Sequence, residues 1–192
     1  MIQTQRIQDQ LASIHAGRRV LIVAEVLQAT SHRARAYREM GAESVFLLAG
    51  RMGSGPVPDE PYALLDLPTM PFLQLIHRTQ DALNNLPESV QAAIDAWDPE
   101  RRAITVGPFY FRGDPVGGRP YFGARSARVQ ALEDKVRIDA MWDAAGVVRS
   151  PSIAVPAQIE PLLAAHRALD QGAGTVWAAD DRDGFNGGAA GT

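Results

Sequence analysis

Val20-Leu21-Ile22-Val23-Ala24 and Ser44-Val45-Phe46-Leu47-Leu48-Ala49 are the two stretches that decide the fold. Each is an apolar run of strand length, with none of the polar alternation that a strand with one wet face shows. Both therefore read as strands covered on two faces. Between them, Thr30 or Ser31 can cap a helix over His32–Met40, and Gly41 can end it. Strand, helix and strand within about thirty residues make a βαβ unit, and such units build a parallel sheet. The expected class is α/β.

Upstream, Gln3–His15 carries Ile7, Leu11 and Ile14 at helical spacing, and Gly17 follows as a stop. Downstream, Arg51–Pro61 is rich in Gly and Pro and reads as an exposed loop. Pro71–Trp97 reads as mostly helical with a break near Asn84–Pro87. Arg102–Val106 is a further strand, ended by Gly107-Pro108. The pattern changes after Gly123, where a domain boundary is expected, giving domains 1–123 and 124–192. In the second part, Ala127–Ala145 reads as helix ending at Gly146, and Val147–Val155 as extended and Pro-interrupted. Gln158–Leu169 is an amphipathic helix through Ile159, Leu162, Leu163 and Leu169, with Pro161 tolerable in its first turn. Thr175–Ala179 reads as a strand running into a glycine-rich turn.

Composition bounds the function. The 192 residues contain no cysteine, which removes disulfide scaffolds, thiolate metal sites and Cys nucleophiles. A formal net charge of -3 gives no reason to expect a nucleic-acid or anionic-membrane surface across the protein. The N-terminus lacks the apolar core of a secretory signal, and no apolar run reaches membrane-span length. The expectation is a soluble cytoplasmic protein.

Two features could carry chemistry. Gly184-Phe185-Asn186-Gly187-Gly188 follows the last expected strand, and glycines let backbone N–H groups approach phosphate oxygens closely. Alone, such a segment reads more readily as a flexible tail. Between Tyr110 and Arg137, six basic residues (Arg112, Arg119, Arg125, Arg128, Lys135, Arg137) face three acidic ones (Asp114, Glu133, Asp134), a local excess that would draw an anion. Most of these arginines read as a solvated face and loop. Lys135 is singled out because it opens a helix ahead of the glycine-rich turn, where an ammonium meets phosphate as a point charge.

Other residues weigh less. His15, His32, His77 and His166 share no metal-ligand spacing and read as structural. Asp180, Asp181 and Asp183 lack the closing Glu of a calcium loop. Gly50-Arg51-Met52-Gly53-Ser54-Gly55 has the wrong glycine order for a dinucleotide fingerprint, and Pro56 and Pro58 block the helix that should follow. It remains a loop at the carboxyl edge of the sheet, where α/β folds place ligands. Phe109-Tyr110-Phe111 could floor a pocket or pack against the second domain, and Trp97, Trp142 and Trp177 read as core.

The order of parts from Asp134-Lys135 through Ala145-Gly146-Val147-Val148 and Ser150-Pro151-Ser152 to Gly184–Gly188 resembles the opening of an ATP-grasp domain. The residues before it look like the Rossmann-like domain that precedes one. The resemblance implies a Rossmann-like parallel sheet followed by a partial α+β ATP-grasp lobe. It implies that Lys135 contacts ATP phosphates and that Gly184, Phe185, Asn186, Gly187 and Gly188 form the loop over the triphosphate. The activity implied is ATP-dependent ligation of a carboxylate to an amine through an acyl phosphate, with ATP and Mg2+ as cofactors and small-molecule acid and amine as partners. Two departures stand out. The strand before the glycine loop, Val176-Trp177-Ala178-Ala179-Asp180, lacks the second Lys of many members, Arg182 being the nearest replacement. The metal ligands and adenine hinge of the family lie beyond the residues present, so the expectation is an N-terminal fragment whose catalytic residues are not in it. The rival expectation is a stand-alone, non-enzymatic α/β ligand-binding or interaction module with a flexible Gly-rich tail. A homodimer is left open.

Overall fold

The computed structural model describes residues 2–108, 111, 113–122 and 135–177. The chain divides into two units, Met1–Ser126 and Ala127–Thr192.

The first unit is built on a four-stranded parallel sheet. Helix α1 (Ile2–His15) precedes β1 (Arg19–Val26), and a 3-10 turn (Leu27–Thr30) leads into α2 (Ser31–Glu39). Next come β2 (Ser44–Arg51), β3 (Tyr62–Leu64), α3 (Phe72–Asn84), α4 (Glu88–Trp97) and β4 (Ile104–Val106). The strand order is β3-β2-β1-β4, with every neighbouring pair parallel. β1 is thus central, with Ile22 opposite Leu47 on one side and Val106 on the other.

The apolar runs form these strands because both faces are covered. Val20, Ile22, Val45, Leu47, Ala49, Ile104 and Val106 pack with Leu27 and with Ala34 of α2. Leu21, Val23, Phe46 and Leu48, which alternate with them, are also buried, and α3 packs against β1 and β2. Complete burial of a Val, Leu or Ile side chain is worth about 1.5–3 kcal/mol, so the strands are fixed by their core faces rather than by local propensity.

Several boundaries differ from the sequence expectation. Neither Thr30 nor Ser31 caps α2 through its side chain. The preceding 3-10 turn takes over: the Thr30 hydroxyl donates to the Leu27 carbonyl at 2.6 Å. Strand β2 continues through Arg51, so the exposed loop begins one residue later than expected. Tyr62–Leu64, unassigned from sequence, adds a short edge strand to β2. Ile7 and Leu11, the expected core stripe of α1, are exposed.

The largest correction is Arg119, expected on a solvated face and in fact fully buried. Gly117 and Gly118, both at positive φ (55° and 81°), make a two-residue turn in which Val116 and Arg119 exchange backbone hydrogen bonds. That turn delivers the Arg119 side chain inward. Its Nε donates to Asp98 Oδ2 at 2.8 Å, and its other nitrogens donate to the carbonyls of Gly117, Ile94 and Asp98 and to Asp95 Oδ1. Asp98 also accepts the backbone N–H groups of Arg102 and Ala103 at the entrance to β4. Beyond the turn, Thr105 donates to the Pro120 carbonyl and Phe122 to the Thr105 carbonyl, so the chain returns along β4.

In the second unit, α5 is described as Lys135–Ala144 and α6 as Ile159–Leu169. Gly146 closes α5 as expected: its N–H donates to the Asp143 carbonyl, and that of Val147 to Trp142. Residues 147–155 belong to neither a helix nor a strand. Arg149 turns back onto α5, donating to both oxygens of Asp143 at 2.9 and 2.8 Å, and Ser152 bonds Asp139. The expected strand Thr175–Ala179 is not found in its described part, Thr175–Trp177. Instead the Asp170 carboxylate accepts the N–H groups of Gly172 and Gly174, and Thr175 Oγ1 meets His166 Nδ1 at 2.9 Å, folding this segment back toward α6. Trp142, expected in a core, is exposed, as are Ile159 and Leu163 of the expected α6 stripe.

Arg119→Met leaves Asp98 buried with, among the described residues, only the more distant Arg19 guanidinium, at 4.0 Å, as countercharge, and strands several carbonyls. We expect it to lower the unfolding free energy by about 3–5 kcal/mol in urea denaturation. The pH response follows from the same groups. Hydrogen bonds from Arg101, then Gln91, hold Asp95 at about 2, below its ordinary 3.8. Burial alone would raise Asp98, but the bonds from Ala103, Arg119 and Arg102 outweigh it and leave its pKa lowered. Both carboxylates are depressed in the folded state, so their stabilisation is present above 3.8 and is lost as pH falls toward 2. Acid denaturation curves should show this loss, with a smaller one in Asp95→Asn.

Candidate functional site

Because all strands run parallel in register, their carboxyl ends share one edge. Val26 pairs with Arg51, and Ala49 with Leu64. In open α/β sheets this edge is where ligands bind, most often where successive connections depart in opposite directions. Here that point lies between β1 and β4, and the Tyr121 side chain stands beside it. Gly107, just past β4, lies against the Tyr121 phenol, and a Cβ at position 107 would collide with it. Burial, followed by the negative charge of the buried Glu25, pushes the Tyr121 pKa up, so the phenol stays protonated.

The open space lies one step along the edge. A cleft of about 680 Å³ is lined by Val26 at the end of β1, Arg51 at the end of β2 with Met52–Ser54 after it, and Leu64 and Asp66–Thr69 around the end of β3. The segment Gly50–Gly55, read from sequence only as a loop at this edge, therefore forms one wall. Close approach explains two of its glycines. A Cβ on Gly50 would sit 2.7 Å from Thr79 Oγ1 and 2.9 Å from the Glu25 carbonyl oxygen. A Cβ on Gly53 would strike Val26.

Arg51 is half-buried in this wall. Its Nη1 donates to Thr69 Oγ1 at 3.1 Å, while its Nε is buried with no hydrogen-bond partner among the described residues. Asp66, exposed across the cleft lining and held at a φ of 51°, does not pair with it. Sequence reasoning passed over Arg51 individually. The available signal was its place, a cation directly following a doubly covered parallel strand.

The opposite edge contrasts with this one. A smaller space of about 450 Å³ at the amino ends is lined by Arg18, Arg19, Glu43, Asp98, Glu100 and Arg102 among others. Its charges are largely matched within the protein: Arg19 with Glu43 and Asp98, Arg102 with Glu100.

Of the residues singled out from sequence, Lys135 begins the described part of α5. Its side chain, and all of Gly184, Phe185, Asn186, Gly187 and Gly188, lie outside the described residues, as do Phe109, Tyr110 and Arg182. Phe111 is buried. His15 is buried with its ring edge-on to Tyr37; burial, then the charge of Arg18, lower its pKa. Among the described residues no group of three or more His, Asp or Glu side chains could hold a metal ion, and no helix is long and apolar enough to cross a membrane.

Substituting Gly50→Ala should destabilise the first unit by about 1–3 kcal/mol, since the strand backbone at Glu25 must shift to admit the methyl group. Thermal melts of the variant beside the parent protein measure it. No family model, curated protein or solved structure matches the chain.

Proposed function

We propose that the chain supplies the N-terminal part of an ATP-dependent carboxylate–amine ligase of the ATP-grasp type. The observation that carries the reading is the order of parts. A doubly covered parallel sheet with strand order 3-2-1-4 comes first, in keeping with a Rossmann-like domain. A helix described from Lys135 and closed at Gly146 follows, then a segment without helix or strand tied back by Arg149 and Ser152, and then a second helix. That is the order of the family's opening elements as far as the second helix; the strand expected before the glycine-rich loop is not formed in Thr175–Trp177.

In this reading Lys135 and the loop Gly184–Gly188 hold the ATP phosphates, through one ammonium and several backbone N–H groups. Such a ligase passes the γ-phosphoryl group to a carboxylate oxygen with release of ADP. The amine then attacks the acyl carbon, phosphate leaves, and the amine gives up a proton. The magnesium that the resemblance implies finds no donor set among the described residues.

A second reading, a non-enzymatic ligand-binding module, draws on the cleft formed within residues 26–69 alone. Nucleotide binding separates the two. In protein expressed from its complete natural reading frame, Lys135→Ala should raise the Kd for Mg–ATP by about tenfold or more, measured by calorimetry. Equal affinity in parent and variant removes Lys135 from a nucleotide site, and absence of ATP binding in the parent favours the module.

A further inference from the structure

We propose that the cleft at the carboxyl ends of β1, β2 and β3 binds a small organic monocarboxylate through the guanidinium of Arg51. The site lies wholly in the first unit and does not depend on the nucleotide-binding reading.

Three observations converge on it. Arg51 is a permanent cation, half-buried in the lining, and Thr69 Oγ1 is its one hydrogen-bond partner among the described residues. No carboxylate pairs with it there, and its buried Nε lacks an acceptor. A guanidinium partly withdrawn from water and left unpaired is unfavourable, and a carboxylate offsets this better than any neutral group, because its two oxygens match the planar fork.

The lining then selects among anions. Asp66 borders the same cleft, so one cation and one anion flank the space. Asp66 repels a monoanion on Arg51 about half as strongly as a phosphate dianion in the same place. Val26, Met52, Leu64, Leu67 and Pro68 supply apolar surface for a hydrocarbon body. The occupant is therefore an acid with a short apolar chain rather than inorganic phosphate or a nucleotide.

The probe is isovalerate, with isovaleramide as its uncharged match and inorganic phosphate as the competing anion. Isotope-labelled arginine in the full chain reports directly, the Arg51 Nε–H signal being assigned by its loss in Arg51→Lys. Isovalerate should shift that signal saturably, together with the backbone amides of Met52–Ser54, while isovaleramide leaves them in place. Arg51→Gln should weaken isovalerate binding by about tenfold or more. Asp66→Asn, an exposed change that the left-handed backbone accepts, should tighten it by about threefold and bring phosphate binding into range. Because Asp66→Asn spares the core, it tests the idea even if Arg51→Gln fails to fold. Equal shifts with the amide, no saturable shift with isovalerate, or tighter binding of phosphate than of isovalerate in the parent would each overturn the proposal.

Discussion

The pairing of β1 with a parallel neighbour on each side is the constraint from which the rest of the first unit follows. Val20 stands opposite Val45 and also opposite Ile104, and Ile22 opposite Leu47 and Val106. A slip of one residue would turn every buried side chain of β1 to the other layer of packing, and both layers are already filled. Register is therefore fixed on both sides at once. With it, the ends of all four strands are fixed: charged residues collect at the amino edge, and the turns after β1, β2 and β3 collect at the carboxyl edge.

The β4 side needs a further device, because β4 is only three residues long and lies at the edge of the sheet order. Three ladder residues contribute little alone. Arg119 and Asp98 compensate by joining the end of α4, the entrance to β4 and the turn at Gly117-Gly118 in one buried network. A buried ion pair of this kind gives limited net stability relative to a well-packed apolar core. Its value lies in geometry, since Arg119 satisfies three carbonyls while Asp98 satisfies two N–H groups, which ties these segments together at one point. Tyr121 follows directly from that turn, so the same network brings the phenol against Gly107 at the end of β4.

This explains which parts were legible in the sequence. The runs Val20–Ala24 and Ser44–Ala49 declare themselves because burial on two faces demands unbroken apolar residues, and Gly41 and Gly146 declare helix ends through backbone geometry that depends on one residue. Arg119 was misread because charge is a local property and burial is not. Only the contact with Asp98, twenty-one positions away, makes its burial tolerable. Tyr62–Leu64 escaped for a similar reason: three residues directly after Pro61 carry no periodicity, and their strand character comes from β2. At the candidate site, the glycine-rich wall was legible, but the lack of a carboxylate beside Arg51 among the described residues was not, since pairing is a fact of three dimensions.

The two edges of the sheet show why that lack matters. At the amino edge each acidic residue lining the space has a guanidinium within reach, as Glu43 and Asp98 do with Arg19 and Glu100 with Arg102, which is how a surface selected for stability resolves its charges. At the carboxyl edge the protein had the same means available. Asp66 lies in the same lining, yet it forms no ion pair with Arg51. A fold that pairs charges where only stability is at stake, and leaves one cation and one anion separated where α/β sheets meet their ligands, has kept its binding energy for a third party. Tyr121 adds to the same logic: its phenol stands against Gly107 at the end of β4, while the opening beside β2 and β3 is lined by Arg51 and Asp66.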